Sequence, residues 1–157
     1  MKNVLLLGAS GLISPYIIPG LETDYNLKLA DIKPHPDGIP VDMVDVRDYD
    51  QVLEAVQGMD AVMNFTVLRH DETLSFHVNT WGAYNVMKAV AATGIKKVIH
   101  SGPAQTLDWY KHDMEIPVDA PHAPTTDYYF ITKHLSNEIV KSFARVHQIH
   151  TVCYLFQ

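Results

Sequence analysis

The sequence predicts an α/β fold of the doubly wound class, a parallel sheet of about six strands with helices on both faces. Three observations predict it. Short apolar, β-branched runs recur along the chain with helically spaced stretches between them, so strand and helix alternate. The strand runs carry little polar alternation, as expected of strands covered on both faces. Glycines and capping residues stand where the periodic segments stop or start.

In chain order, Asn3–Leu7 reads as the first strand and Leu12–Gly20 as the helix that follows. Leu27–Ala30 and Val41–Val44 read as the second and third strands. Tyr49–Gln57 has helical spacing and stops at Gly58, and Ala61–Phe65 is the fourth strand. Leu74–Thr93 is a long helix ended by Gly94 as a C′ residue. Lys97–His100 is the fifth strand, Asp127–His147 the last helix, capped by Asp127 or Thr126, and His150–Phe156 the sixth strand. Two stretches are irregular. Lys33–Pro40 holds three prolines and a glycine, and Gly102–Pro124 holds Pro103, Pro117, Pro121 and Pro124. Irregular connections as long as the second are usually functional.

With 157 residues, 47% of them hydrophobic, the chain suffices for one good core, so a single domain over residues 1–157 is expected. A net charge of −6 and no Lys/Arg-rich run exclude a protein that works by neutralising phosphate backbones, so no nucleic-acid partner is expected. The first apolar run stops at Gly8, too short for a signal segment or a membrane span, which predicts a cytoplasmic protein with no membrane partner. Cys153 is the lone cysteine and reads as a buried core thiol. The nine histidines, among them His70, His77, His147 and His150, lack ligand spacing and read as scattered surface residues, with no metal expected.

Function first shows in the turn after the first strand. Gly8-Ala9-Ser10-Gly11-Leu12-Ile13-Ser14 puts glycines where the chain turns tightly and where backbone must approach a ligand closely. A helix starting near Gly11 would aim free N–H groups and its positive end at a pyrophosphate, although a plain structural turn uses the same residues. Asp31 ends the second strand about twenty residues on, where a carboxylate accepts hydrogen bonds from both hydroxyls of an adenosine ribose. The same charge repels a 2′-phosphate, favouring NAD over NADP, while Lys33 nearby offers a phosphate partner and argues the other way.

These residues resemble the extended short-chain dehydrogenase/reductases, the NAD-dependent epimerase/dehydratase group acting largely on nucleotide sugars. The likeness spans almost the whole chain and implies a Rossmann-like domain. Gly8 and Gly11 match the family's Gly-x-x-Gly-x-x-Gly, with Ser14 in place of the third glycine. Asp45-Val46 resembles the pair that contacts adenine, and Phe65-Thr66 the end of the strand that lines the cofactor groove. Asn79, Gly82 and Asn85 are similar to the Asn-x-x-Gly-x-x-Asn helix, in which Asn79 would brace the active site. A simpler role for Asn79 is to cap or bond within its own helix. Trp81 and Tyr84 read as packing residues.

Tyr129 and Lys133 form the most specific match, Tyr-x-x-x-Lys on one helical face. A tyrosine needs help to ionise, since its ordinary pKa is about 10, and a neighbouring ammonium would lower it toward working pH. The resemblance makes Tyr129 the acid/base and has Lys133 also bond the nicotinamide ribose. Tyr128 is the rival by register, but it points about 100° away from the face of Lys133. Where the family places a Ser or Thr after the fifth strand, this chain has Gly102-Pro103; Ser101 is the nearest substitute and Thr106 a weaker one. The last strand lacks the family's Arg-Pro step, and the substrate domain that follows in relatives has no counterpart, as in a fragment or a domain shortened after the sixth strand. An uncovered sheet edge would then favour a homo-oligomer. The expected activity is that of an oxidoreductase on a nucleotide sugar or another hydroxyl/ketone substrate. A dinucleotide-binding module that has lost turnover is the alternative, and a truncated domain with no role of its own the third.

Overall fold

The computed structural model describes residues 1–107, 110, 115–117 and 119–156. Part of the irregular Gly102–Pro124 stretch therefore lies outside the described residues, as does Gln157. Six strands form one sheet: β1 (Lys2–Leu7), β2 (Tyr25–Asp31), β3 (Asp42–Met43), β4 (Ala61–Asn64), β5 (Lys97–Pro103) and β6 (His150–Phe156). Their order is β3-β2-β1-β4-β5-β6, and every neighbouring pair is parallel. The winding direction reverses between β1 and β4, and ligands of such sheets settle outside the carboxyl ends of the strands at that point. Leu7 pairs with Asn64 there, so Gly8 and Phe65 are the first residues beyond the sheet.

Among the described residues five α-helices accompany the strands: α1 (Ser14–Leu21), α2 (Tyr49–Ala55), α3 (Glu72–Ser75), α4 (Gly82–Thr93) and α5 (Tyr128–His147). On one face Leu5, Leu7, Val62 and Val98 pack with Val52 of α2, Val86 and Val90 of α4, and Val140 of α5. On the other, Val4, Leu6 and Met63 pack with Ile18 of α1. The doubly wound class is what the apolar runs predict, and helices do lie on both faces.

Several boundaries differ from expectation, each for a local reason. The first helix begins at Ser14, not near Gly11, with Pro15 in its first turn where a missing N–H costs nothing. The long helix is interrupted by a π-helical turn, Phe76–Trp81, inside which the Thr80 hydroxyl donates to the Phe76 carbonyl. β3 is only two residues long and exposed. β6 alternates between covered and open, leaving Val152 and Tyr154 each 51% exposed, as suits an edge strand rather than a doubly buried one. β5 runs on through Gly102 and Pro103 because β6 offers Leu155 and Phe156 as partners. Asp127 is the cap of α5, its Oδ1 accepting from Tyr129 N at 2.8 Å. Trp81 and Tyr84 pack on each other, rings stacked 5.3 Å apart, on the outer surface and not in the core. His35 and His100 are buried, against the expectation that the histidines are superficial. Cys153 is half-buried on β6, and burial pushes its thiol pKa up. Among the described residues no helix is long and apolar enough to cross a membrane.

Candidate active site

At Gly8 the chain leaves β1 with φ +84°, a conformation glycine adopts freely, and a Cβ there would stand 2.7 Å from the Phe65 carbonyl carbon and oxygen. Glycine is therefore required twice over, by the turn and by the closeness of β4. Ser14, standing where a third glycine was expected, is buried and donates from Oγ to the Gly8 carbonyl at 2.8 Å. The serine thus ties the first turn of α1 to the loop instead of merely tolerating it. Gly11 N donates to the same carbonyl at 3.1 Å.

Asp31 is 8% exposed at the end of β2. Its Oδ2 accepts from Ser10 N at 2.9 Å and its Oδ1 from Lys33 N at 3.2 Å, while Ser10 Oγ donates to the Lys33 carbonyl at 2.9 Å. The loop after β1 is therefore fastened to the end of β2 through one carboxylate whose remaining lone pairs are open to a ligand. Asp31, Lys33, Gly8, Gly11, Asp45, Val46, Phe65 and Thr66 line one cavity of about 320 Å³. Asp45 has a neighbour the sequence reading missed: Arg47 Nε donates to both its oxygens at 2.9 and 3.0 Å and holds its carboxyl below the ordinary range.

A second cavity of about 510 Å³ meets the first along Phe65 and Val67. Leu12, Ile13, Ser101, Tyr129 and Lys133 line it together with Arg69, Gln105 and Pro103. Most of the site residues expected from sequence thus fall along one crevice across the β1/β4 reversal. Ser101 reaches it because β5 is longer than expected; among the described residues its Oγ has one hydrogen-bond partner, the Asn64 carbonyl at 3.5 Å. Gly102 also lines it, though an added Cβ there would meet Leu155 Cδ2 at 3.0 Å. Thr106 is buried and spends its hydroxyl on the Pro103 carbonyl at 2.9 Å, away from the crevice.

Lys133 is 3% exposed, and its Nζ has no hydrogen-bond partner among the described residues. Burial lowers its pKa to about 8, opposed by the Cys153 side chain and helped slightly by Arg69. Tyr129 departs from expectation: burial raises its phenol above the ordinary value, and the charge pulling it back down is Arg69, not Lys133. The Arg69 guanidinium lies 5.2 Å from the centre of the Tyr129 ring. Tyr128, the rival tyrosine, donates instead to the Arg69 carbonyl at 3.1 Å.

Asn79 is absent from the crevice lining and acts from behind it. Its Oδ1 accepts from Leu68 N at 2.9 Å, and its Nδ2 donates to Leu68 O at 2.8 Å and to Thr132 Oγ1 at 2.9 Å. Gly82 lets Val46 approach, for a Cβ there would lie 2.7 Å from Val46 Cγ2. Asn85 Nδ2 donates to the carbonyls of Val46 and Arg47, each at 3.0 Å. The three spaced residues therefore hold two loops of the crevice against one helix. Behind α5, the buried His100 Nε2 contacts Ser136 Oγ at 2.9 Å, and Ser136 donates to the Lys133 carbonyl at 2.8 Å. Burial and the nearby Lys133 charge keep His100 well below its ordinary pKa.

A parallel sheet with a glycine turn and an acidic residue at its point of reversal defines an α/β protein of the dinucleotide-binding class. Residues 4–156 match the family model described as the NAD dependent epimerase/dehydratase family, and the chain belongs to that family. It is 30% identical over 132 residues to the N-acetyl-alpha-D-glucosaminyl-diphospho-ditrans,octacis-undecaprenol 4-epimerase of Escherichia coli O157:H7, covering 80% of this chain and 39% of that one. Similarity to the uronate dehydrogenase of Pseudomonas syringae pv. tomato is 26% over 159 residues, covering 96% of this chain and 57% of the relative. A short-chain dehydrogenase/reductase superfamily protein from Agrobacterium tumefaciens, solved with bound NAD, superposes with a TM-score of 0.86 at 21% identity, over 98% of this chain and 48% of that one. The chain spans about half the length of the relatives it matches, or less.

Proposed function

We propose that this chain carries the cofactor half of an NAD-dependent oxidoreductase or epimerase acting on a sugar hydroxyl, free or nucleotide-linked. The observation that carries the reading is the convergence of Tyr129, Lys133 and Ser101, from α5 and β5, on a cavity continuous with the one that holds Asp31. The residues fit the dinucleotide. Gly8 and Gly11 line the first cavity with bare backbone, Asp31 has lone pairs for ribose hydroxyls, and Lys133 Nζ, without a partner among the described residues, is a donor that a second ribose would satisfy. The Asp31 charge disfavours a 2′-phosphate and places NAD ahead of NADP, with Lys33 in the same cavity as the opposing influence.

When bound, NAD supplies the hydride acceptor. Tyr129 takes the proton from the sugar hydroxyl at its Oη as the carbon is oxidised, or returns it on reduction. Because burial raises the phenol, the proton transfer relies on the Arg69 cation over its ring, while Lys133, one turn along the helix, is left to the ribose. Ser101 Oγ, whose one hydrogen bond among the described residues is long, is the hydroxyl available to hold the substrate oxygen.

Retained binding without turnover is the second reading, favoured by the weakly held Ser101 in place of a serine or threonine after β5. The two are separated by assaying nucleotide sugars and uronates for NADH formation and for epimerised product. Sugar-dependent conversion that Tyr129→Phe abolishes supports the enzyme; NAD binding with no conversion by either protein supports the binding module.

A further inference from the structure

Arg69 lies on an irregular connection between β4 and α3, yet its backbone is pinned from two sides. Asn79 clasps both polar atoms of the preceding Leu68, and the Tyr128 hydroxyl at the first turn of α5 donates to the Arg69 carbonyl at 3.1 Å. The guanidinium so held stands 5.2 Å from the centre of the Tyr129 ring and lines the same cavity as Lys133 and Ser101. Among the described residues no carboxylate lies within ion-pair distance of it. Among the described residues the acid that shares the cavity is Asp127, whose Oδ1 accepts from Tyr129 N as the cap of α5 and which forms no ion pair with Arg69. In a chain with a net charge of −6, an exposed cation thus stands over Tyr129 with no ion-pair partner among the described residues.

We infer that Arg69 anchors an oxyanion on the sugar substrate, a carboxylate or a phosphate, and so selects acidic sugars over neutral ones at this site. The inference rests on the reading of the crevice as an NAD site. A planar guanidinium with paired donors suits a two-oxygen anion, and a fixed backbone limits the entropy lost when the anion docks. Standing over the phenol ring, the same group would hold the bound anion beside Tyr129, which orients the sugar relative to its proton acceptor.

The test is calorimetric, on the full chain. The protein is first titrated with NAD, and the NAD-saturated protein is then titrated with galacturonate, a galactose phosphate and galactose itself. The ratio of acidic to neutral affinity is the quantity read. For the wild type it is expected to be about 10-fold or more in favour of at least one acidic sugar, as for a charge-assisted pair. Whether galacturonate or the galactose phosphate gains the preference tells which oxyanion the site takes. Arg69→Gln should bring the ratio near one, and Arg69→Lys, which keeps charge without the fork, should restore part of it. Equal binding of acidic and neutral sugars by the wild type, or an unchanged ratio in Arg69→Gln, overturns the role of Arg69 alone. Failure of NAD itself to bind overturns the crevice reading and the inference with it.

Discussion

Asn79 Nδ2 lies 2.9 Å from Thr132 Oγ1, joining the π-helical turn before α4 to the residue that precedes Lys133. The same amide pairs with both backbone groups of Leu68, one residue from Arg69. One side chain therefore sets the spacing between the loop after β4 and the helix that carries Tyr129 and Lys133. Thr132 in turn donates to the Tyr129 carbonyl at 2.9 Å, so the brace ends on the turn that carries Tyr129.

Replacing Asn79 with Ala leaves Leu68 N without its partner and the Leu68 carbonyl held by Ser75 Oγ alone, at 2.9 Å, which loosens the loop. Such a loss is expected to cost about 1–3 kcal/mol of stability, measured by urea unfolding. If Tyr129 and Lys133 act as proposed, their displacement should lower turnover by roughly 10- to 100-fold, more than it changes the substrate KM. Asn79→Asp, which lacks the donor to Thr132, should lower turnover as well; full activity in both variants would remove the bracing role.

Gly82 and Val46 give a prediction about packing. A methyl at position 82 would stand 2.7 Å from Val46 Cγ2, so Gly82→Ala must displace Val46 and the loop that lines the Asp31 cavity. The expected cost is about 1–3 kcal/mol. In a Val46→Ala background the contact with Cγ2 is gone and a tight 3.2 Å approach to Cβ remains, so the same substitution should cost less, by about 1 kcal/mol or more, and the two changes couple in a double-mutant cycle. Additive costs would contradict the packing described.

The buried Lys133 makes stability depend on alkaline pH. Its folded pKa is lowered to about 8 from the ordinary 10.5, so between these values the unfolded chain holds a proton that the folded one has released. Stability is then gained as pH rises through that window, and below about 8 the folded state bears a buried charge without a partner. Lys133→Met should stabilise the ligand-free protein at neutral pH, by roughly 3 kcal/mol at most, and the difference should shrink as pH approaches 10.5. A wild type more stable than Lys133→Met at neutral pH would reverse the sign.

Much of the fold is legible in the sequence because its signals are local. Runs such as Val4–Leu7, Gly94 after a helix and Pro15 in a first turn each act within a few residues. The elements misjudged depend on partners far away in the chain. Gly102-Pro103 has the composition of a loop and becomes strand only because Leu155 and Phe156 pair with it. A π turn inside an amphipathic helix leaves the hydrophobic pattern nearly unchanged, so periodicity passes over it. The candidate site shows the same division. Gly8, Asp31 and the spacing of Tyr129 and Lys133 are visible in short segments. Arg69 is not, because its meaning comes from standing over a ring sixty positions later. The direction of the Tyr129 pKa was misjudged for a related reason: spacing reveals the nearby lysine but not the burial that outweighs it.

The most direct measurement is a calorimetric titration of the chain with NAD and with NADP, repeated on Asp31→Ala. Saturable binding that favours NAD and weakens by about 10- to 100-fold in the variant is the predicted result, as expected when a carboxylate bonded to ribose hydroxyls is removed. Equal affinity of wild type and Asp31→Ala, or binding of neither dinucleotide, would contradict the assignment of the crevice.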